Sequence, residues 1–497
     1  MPPRNKPTPT KKSAKKSAKK SANWLIMYIA SSSILLLVLL GSLLVEPTPE
    51  SIIYPKFSHP EYTTQVEPLI AERQFQAAID ELERMAATYS VSSQPLVYIG
   101  QIYLMQHRWL MAEDAFNRAL ARDADHTWAM AGLAETLLQQ GRLTSALVVW
   151  QNLANINPSI PGLASGLGRT YLLQGDFASA EATFRQQSDT ESHWYLAALT
   201  APRDLVTARN YLYAMSPSRN SYWQNQRDNL LELLAQFDTD TPQVEIAQTM
   251  GIALSQMGEW NLASHALRQA LNLQGDTPHG ETVAFLAKAQ AQLGRPAFEL
   301  FEEARRIDPE STMVLYMQGR YLREQGALQS ARRTFAEAVI LDPHNAAAYI
   351  EMGITRAEQG NLTMAEAWYL EALQVAEDKA TFELLLARFY VEHNYQLTET
   401  GLPYMEAFVK SNPTHAEGHE MLGWMQFVTG DANEAEKTLK QAVKLNPHAL
   451  SARYYLARSL VGNGKPVEAK DEYQRIIDWD TSTGLRELAL RDLKQLG

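Results

Sequence analysis

The sequence predicts an all-α protein in which a series of helix pairs follows one membrane-spanning helix. The first observation is a repeat, because Gly319 and Gly353 stand 34 positions apart, as do Ala331 and Ala365. A helix pair that recurs at this period is the unit of a stacked repeat protein. The second observation is an uncharged apolar run at 24–45, which has the length of a transmembrane helix.

Composition and charge exclude some kinds of site and divide the chain into two parts. The chain has no cysteine, which excludes disulfides, thiolate metal ligands and cysteine nucleophiles. Residues 1–45 contain eight basic side chains and no acidic one. The rest of the chain holds the other 37 basic residues and all 56 acidic residues, a net charge of -19. The two parts therefore face different surroundings.

Residues 1–23 form a tail rich in Lys, Ser, Ala and Pro, which predicts disorder because it contains almost no apolar surface to bury. Clustered lysines can tether a chain to nucleic acid or to anionic lipid. They can also hold one end of a membrane helix in the cytoplasm. The lysines lie close to the apolar run, and this position favours the topological role over nucleic-acid binding.

The apolar run at 24–45 predicts an uncleaved anchor. As a helix it reaches roughly 33 Å, enough for a hydrocarbon core of about 30 Å, and Trp24 and Tyr28 suit the interface. It is longer than the core of a signal peptide and lacks a small-x-small cleavage site. The lysines predict that the N-terminus lies in the cytoplasm and that the chain after residue 45 lies on the other side of the membrane. Residues 46–60 contain four prolines and predict an extended linker.

Helix pairs fill the chain from residue 61 onward. Residues 61–187 predict a first block of repeats and 244–483 a second, with a capping helix at 484–497. The segment 188–243 breaks the period and predicts an irregular helical region: one degenerate pair and a further helix from about 222 to 237. Its many aromatic residues have two interpretations, a binding surface or buried packing, and packing is the commoner use.

These repeats resemble the tetratricopeptide repeat (TPR) family. The family usually has small residues at positions 8, 15, 20 and 27, an aromatic or Leu at 24 and Pro at 32. The unit that begins at Thr312 supplies all six: Gly319, Gly326, Ala331, Phe335, Ala338 and Pro343. The resemblance implies a right-handed superhelical solenoid that binds other proteins. The lysine-rich tail, the anchor and the lack of cysteine make the chain similar to bacterial envelope TPR proteins, which implies a single-pass protein of the bacterial cytoplasmic membrane.

The resemblance also implies a partner-binding groove, lined by positions 2, 5, 9, 12 and 13 of each first helix. The candidate residues at these positions are Arg169, Lys288, Tyr316, Arg320, Arg388, Trp424, Tyr454 and Arg458. Basic and aromatic side chains suit an acidic or extended protein segment. An alternative is that the arginines only form ion pairs within their own helices, because Glu324 and Glu392 follow Arg320 and Arg388 by four residues.

No motif in the chain predicts catalysis, a cofactor or a metal. His415 and His419 have a spacing that suits zinc on a helix, but no third ligand accompanies them. The sequence therefore predicts a non-enzymatic scaffold or assembly factor at the membrane. Two alternatives stay open. One is a regulatory or docking subunit of a membrane enzyme complex, and the other is a nucleic-acid or anionic-lipid tether through the tail.

Overall fold

The computed structural model describes residues 61–72, 74–215, 221–238, 240–275, 277–479 and 483–496. The predicted tail (1–23), anchor (24–45) and linker (46–60) lie outside this part of the chain. The described residues form 26 α-helices and two short π-helical segments, with no strand among them. The prediction of an all-α helical repeat fold is confirmed. None of the helices in these ranges has both the length and the apolar character that crossing a membrane requires.

The N-terminal unit extends to Pro278 and includes Gln292–Gly294. It begins with a π-helical segment at Tyr62–Val66. Its α-helices are α1 (Glu67–Ala71), α2 (Phe75–Thr88), α3 (Gln94–Met105), α4 (Trp109–Arg122), α5 (Thr127–Gln139), α6 (Leu143–Ile156), α7 (Leu163–Gln174), α8 (Phe177–Phe184), α9 (Thr190–Thr200), α10 (Leu205–Ala214), α11 (Ser221–Ala235), α12 (Gln243–Gln256) and α13 (Trp260–Gln274).

The C-terminal unit comprises His279–Ala291 and the chain from Arg295 onward. Its α-helices are α14 (Gly280–Gln292), α15 (Phe298–Ile307), α16 (Thr312–Glu324), α17 (Leu328–Leu341), α18 (Ala346–Glu358), α19 (Leu362–Val375), α20 (Lys379–Glu392), α21 (Leu402–Ser411), α22 (Ala416–Val428), α23 (Ala432–Leu445), α24 (Leu450–Gly462), α25 (Pro466–Trp479) and α26 (Thr483–Gln495). A π-helical segment at Leu397–Gly401 lies between α20 and α21.

Small residues allow the two helices of each pair to pack closely. In the pair α16–α17, Ala331 and Ala338 are fully buried, and the Phe335 ring fills the space beside them. The chain reverses direction at Gly326, whose φ of 74° is one that residues with a side chain rarely adopt. The 34-residue pattern therefore has two physical causes. Small residues are needed where the two helices cross, and glycine is needed where the backbone turns with a positive φ.

Within the N-terminal unit the helix stack turns back on itself after the period breaks. The rings of Trp194 and Trp223 are buried between α9 and α11, and the Trp194 indole donates a hydrogen bond to the Gln226 carbonyl. These aromatic residues serve packing. Helix α13 then contacts α7 and α9, and His265 packs against the Phe177 ring at 4.2 Å between ring centres. Helix α13 thereby covers part of α7 and α9 within the same unit.

Within the C-terminal unit the first helices of successive pairs pack side by side. Helix α20 contacts α22, and α22 contacts α24, while each of α22 and α24 also contacts its own second helix. This leaves one side of these first helices turned away from the second helices; we call it the first-helix face. Helix α26 packs on α24 and α25, and its Ala489 is fully buried.

Candidate partner-binding site

One predicted binding residue, Arg169 in the N-terminal unit, is neutralised inside the protein. Its guanidinium lies 2.7 Å from a carboxylate oxygen of Glu135 on α5 and 3.0 Å from one of Glu191 on α9. All three side chains are buried. Two carboxylates therefore compensate one cation across three successive first helices, an arrangement that stabilises their register.

A second buried network holds Arg320 and Tyr316, two further predicted residues on α16. The Arg320 guanidinium lies 3.4 Å from Glu351 on α18 and 3.6 Å from Glu324 on its own helix. The Tyr316 hydroxyl donates to Glu351 over 3.3 Å. Burial raises the pKa of Tyr316, and the Glu351 carboxylate raises it further. The predicted in-helix pair with Glu324 is present, but the shorter of the two ion pairs crosses to the next repeat.

Lys288 lies beside this network and remains half-buried. Burial lowers the pKa of its ammonium to about 7, Arg320 lowers it as well, and Glu324 opposes the change. Lys288 is therefore a weaker cation for a partner than the sequence implies.

Arg388 on α20 and Arg458 on α24 have a different environment. Arg388 is half-buried and Arg458 is exposed, and within the described residues neither forms a hydrogen bond or an ion pair with a carboxylate. The predicted pair of Arg388 with Glu392 does not close to ion-pair distance. The Arg458 guanidinium instead lies 4.9 Å from the centre of the Phe427 ring and 5.9 Å from that of Tyr454.

Two stacked aromatic rings lie near both arginines. The half-buried Trp424 on α22 stacks on Tyr455 of α24, with ring centres 5.0 Å apart and an interplanar angle of 18°. Burial raises the pKa of the Tyr455 hydroxyl, while Arg388 and Arg458 both oppose the rise. Arg458 acts on this hydroxyl from the same helix, and Arg388 acts on it from α20.

Glu420 on α22 completes the cluster. Burial raises the pKa of its carboxyl and Glu417 adds to the rise, while a hydrogen bond with Ser451 and the charge of Arg388 oppose it. We call this cluster on three consecutive first helices the first-helix patch. Its members are Arg388, Glu420, Trp424, Phe427, Tyr455 and Arg458.

The predicted Tyr454 lies next to the patch but faces the capping helix. It is buried, and its hydroxyl donates to Asp492 of α26 over 2.9 Å. Three members of the patch, Glu420, Phe427 and Tyr455, are not among the predicted binding residues. Phe427 occupies repeat position 12, which is a groove position. Glu420 occupies repeat position 5, one of the groove positions, so the sequence carried a signal for it. Tyr455 occupies position 6, which carried none.

The two histidines with metal-like spacing serve the helix start instead. The His415 Nδ1 accepts a hydrogen bond from the Gly418 backbone N–H over 3.2 Å. The His419 ring lies 2.9 Å from the Pro413 carbonyl oxygen. Within the described ranges, no group of three or more His, Asp or Glu side chains has an arrangement that would hold a metal ion.

Repeated helix pairs and an accessible first-helix patch define this chain as a helical repeat protein. Family models described as tetratricopeptide repeat match residues 99–158, 161–186, 316–380 and 429–487. The chain therefore contains tetratricopeptide repeats in both of its units, as its residue pattern indicates. The comparison with curated proteins gave no match.

Solved structures of repeat proteins are similar to the chain at low sequence identity. Yeast Tom70 is 14% identical, covers 87% of this chain and 94% of its own, and superposes with a TM-score of 0.45. A tetratricopeptide repeat protein from Parabacteroides merdae is 14% identical, with coverages of 51% and 98% and a TM-score of 0.40. Pseudomonas aeruginosa PilF is 20% identical, with coverages of 43% and 97% and a TM-score of 0.33.

Proposed function

We propose that this chain is a membrane-anchored scaffold or assembly factor that binds a partner protein on the first-helix face of its C-terminal unit. Tetratricopeptide repeats support a role in protein interaction in general, because each repeat contacts mainly its neighbours and leaves one side of the stack for a partner. The partner-binding residues are those of the first-helix patch.

The observation that carries this proposal is the contrast among four arginines at the same repeat position. Arg169 and Arg320 are buried and ion-paired. Arg388 and Arg458 are accessible, and no carboxylate of the described chain lies within ion-pair distance of either. Arginine and tryptophan are the residues most enriched among those that dominate binding energy at protein interfaces. The patch places both types together.

The membrane part of the proposal rests on the sequence. The uncharged run at 24–45 follows eight basic residues and precedes a proline-rich linker. Such a chain holds the repeat units outside the cytoplasmic membrane of a bacterium, at the distance that the linker permits. A partner bound there is a membrane or envelope protein, or one subunit of a larger complex.

Site-specific photo-crosslinking in living cells tests the binding surface. The photo-reactive residue p-benzoylphenylalanine in place of Trp424 is expected to capture one partner protein. The same residue in place of Leu370 serves as the matched control, because that side chain is 44% exposed on the second helix α19.

The proposal predicts a defined adduct at position 424 and none at position 370. The adduct should become weaker when Arg388→Gln is added, since this change removes a patch cation that forms no ion pair with the described residues. Equal capture at both positions, or no adduct at position 424, would show that the first-helix face does not bind the partner.

A further inference from the structure

We infer that the turn between helices α3 and α4 inserts into the surface of the lipid bilayer and attaches the N-terminal unit there. This inference rests on the membrane anchor of the proposed function and adds a second contact with the same membrane. The surface that makes this contact is an apolar tip, which consists of Met105, Trp109, Leu110 and Met111.

The apolar tip lies at one end of the α3–α4 pair and is open to solvent. Helix α3 ends at Met105, and α4 begins at Trp109. The Leu110 side chain is 77% exposed, Met105 and Met111 are also exposed, and Trp109 is half-buried. Single apolar side chains are ordinary on a protein surface, whereas a group of them marks a contact with a protein or a membrane.

The stacking of repeats does not require two apolar residues in succession at the start of α4. The corresponding positions of α6, in the next pair, are Thr144 and Ser145. Two later pairs have one exposed apolar residue at such a position, Met364 in α19 and Val467 in α25, but the other position is polar in each. The apolar tip therefore has a cause other than repeat packing.

The residues of this turn suit the boundary between lipid headgroups and acyl chains. The His107 ring meets Trp109 edge-on, with 5.0 Å between ring centres, and orients the indole. Tryptophan is enriched at this boundary in membrane proteins. Arg108 is exposed and forms no ion pair with the described residues, so its charge suits an anionic headgroup. Leu110 and Met111 supply the apolar surface that enters the lipid.

The acidic side chains that follow the tip on α4 are paired with arginines. Glu113 lies 2.7 Å from the Arg142 guanidinium, and Asp114 lies 3.8 Å from that of Arg118. Their negative charges are compensated within the protein, so they oppose an anionic lipid surface only weakly.

The anchor makes a weak lipid contact effective. Tyr62, at the start of the described chain, stacks on Tyr98 with ring centres 4.5 Å apart. Tyr98 precedes Met105 by two helical turns, about 10 Å along α3. The proposed linker at 46–60 can span up to about 50 Å, which is enough for the tip to reach the bilayer that holds the anchor. A few apolar side chains bind lipid weakly from solution, but tethering raises their effective concentration.

Site-specific fluorescence in vesicles tests the inference. The chain has no cysteine, so Leu110→Cys and Thr144→Cys each create a single site for the dye nitrobenzoxadiazole. Thr144 is the matched control, because it is exposed at the same position of the next pair. The labelled full-length protein is reconstituted into phosphatidylethanolamine and phosphatidylglycerol vesicles that contain a phospholipid with a nitroxide on its acyl chain.

We expect the nitroxide to lower the emission of the dye at position 110 at least about twofold more than at position 144. Adding Met105→Ser and Met111→Ser to the protein labelled at position 110 should reduce this quenching. Both side chains are exposed, so the change removes apolar surface from the tip without altering the core.

Equal quenching at the two positions, or none at position 110, would overturn the inference. So would the capture of a protein in living cells by p-benzoylphenylalanine at position 110, which would make the tip a protein-binding surface. If the protein resists extraction from the vesicles by alkaline carbonate in these cases, the anchored scaffold stands and only the second contact is wrong. If carbonate releases it, the anchor is wrong and the inference fails with it.

Discussion

Single glycines set how closely the helices of neighbouring repeats approach. The Phe116 ring lies between Gly100 of its own repeat and Gly132 of the next one. A Cβ added at Gly100 would lie 2.7 Å from a ring atom, and one at Gly132 only 2.3 Å. Both distances are far below van der Waals contact, so a small residue is required on each side of the aromatic ring.

Gly132→Ala should destabilise the protein, although alanine normally stabilises a helix interior by about 0.5–1 kcal/mol relative to glycine. The clash with Phe116 should outweigh this gain and give a net loss of about 1–3 kcal/mol. Denaturant unfolding followed by far-UV circular dichroism measures it. The same substitution on a Phe116→Leu background is the control and should cost less. A more stable Gly132→Ala protein would contradict the packing argument.

Glu436 on α23 gives the protein a pH-dependent part of its stability. Burial disfavours its charge, but hydrogen bonds from Lys440, Lys465 and Asn463 outweigh burial and lower its pKa to about 2. A carboxyl group whose pKa is lower in the folded state stabilises the protein above its unfolded pKa of about 4.5, and this contribution is lost as the pH falls toward 2.

Glu436→Gln should therefore cost about 1–2 kcal/mol at pH 7 and progressively less as the pH falls below 4.5. The upper value is limited because Lys440 and Lys465 are 50% and 43% exposed to solvent. Denaturant unfolding between pH 3 and 7 measures the difference. Glu434→Gln on the same helix is the control, because its pair with Lys437 is exposed. A loss that does not depend on pH would contradict the assignment.

The sequence indicated which residues occupy the groove positions but not which of them remain accessible. Arg169, Arg320 and Arg388 look alike at position 9. Arg169 and Arg320 are ion-paired and Arg388 is not. The carboxylates that neutralise the first two come from neighbouring repeats: Glu135, Glu191 and Glu351. The nearest acid in sequence to Arg388, Glu392, forms no ion pair with it. Ion pairs between repeats depend on side-chain geometry, so the spacing of residues in the sequence does not predict them.

The turns between helices show what the repeat pattern could and could not predict. Glycine marks most of them, whereas His107 and Asn394 adopt positive φ values of 55° and 46° in glycine's place. The repeat period does not indicate the π-helical segment at Leu397–Gly401, which follows the turn at Asn394. Helix existence was predictable here, and local helix geometry was not.

The capping helix α26 supplies the last apolar surface of the C-terminal unit. Ala489 is completely buried in the core formed with Tyr454, Tyr473 and Ile476, whereas the adjacent Leu490 is 37% exposed. The helix therefore has one face in the core and one in solvent, and the consecutive residues Ala489 and Leu490 lie on different faces.

Ala489→Glu should detach or strain this helix, because it places a charge without a partner in an apolar site, at a cost of about 2–4 kcal/mol. Leu490→Glu is the matched control and should change stability by less than about 0.5 kcal/mol. Thermal unfolding and limited proteolysis near the C-terminus compare the two variants. Equal losses of stability in the two variants would mean that α26 does not pack with Ala489 facing the core.

At the scale of the whole molecule, the proposed membrane topology rests on the distribution of basic residues in the sequence. Eight basic residues precede the apolar run at 24–45, which predicts a cytoplasmic N-terminus and external repeat units. Protease added to intact spheroplasts should therefore degrade the repeat units and leave the tail protected. A cytoplasmic protein serves as the control for cell integrity, and full protection of the repeat units would reverse the topology.

The central claim is that the first-helix patch binds the partner, and the affinity of the captured partner tests it most directly. Calorimetric titration of that partner into the full-length protein should show binding that the double variant Arg388→Gln and Trp424→Ala weakens by at least about a hundredfold. Leu370→Ala on the second-helix side should bind like the unmodified protein. Equal affinity of the double variant and the unmodified protein would contradict the account.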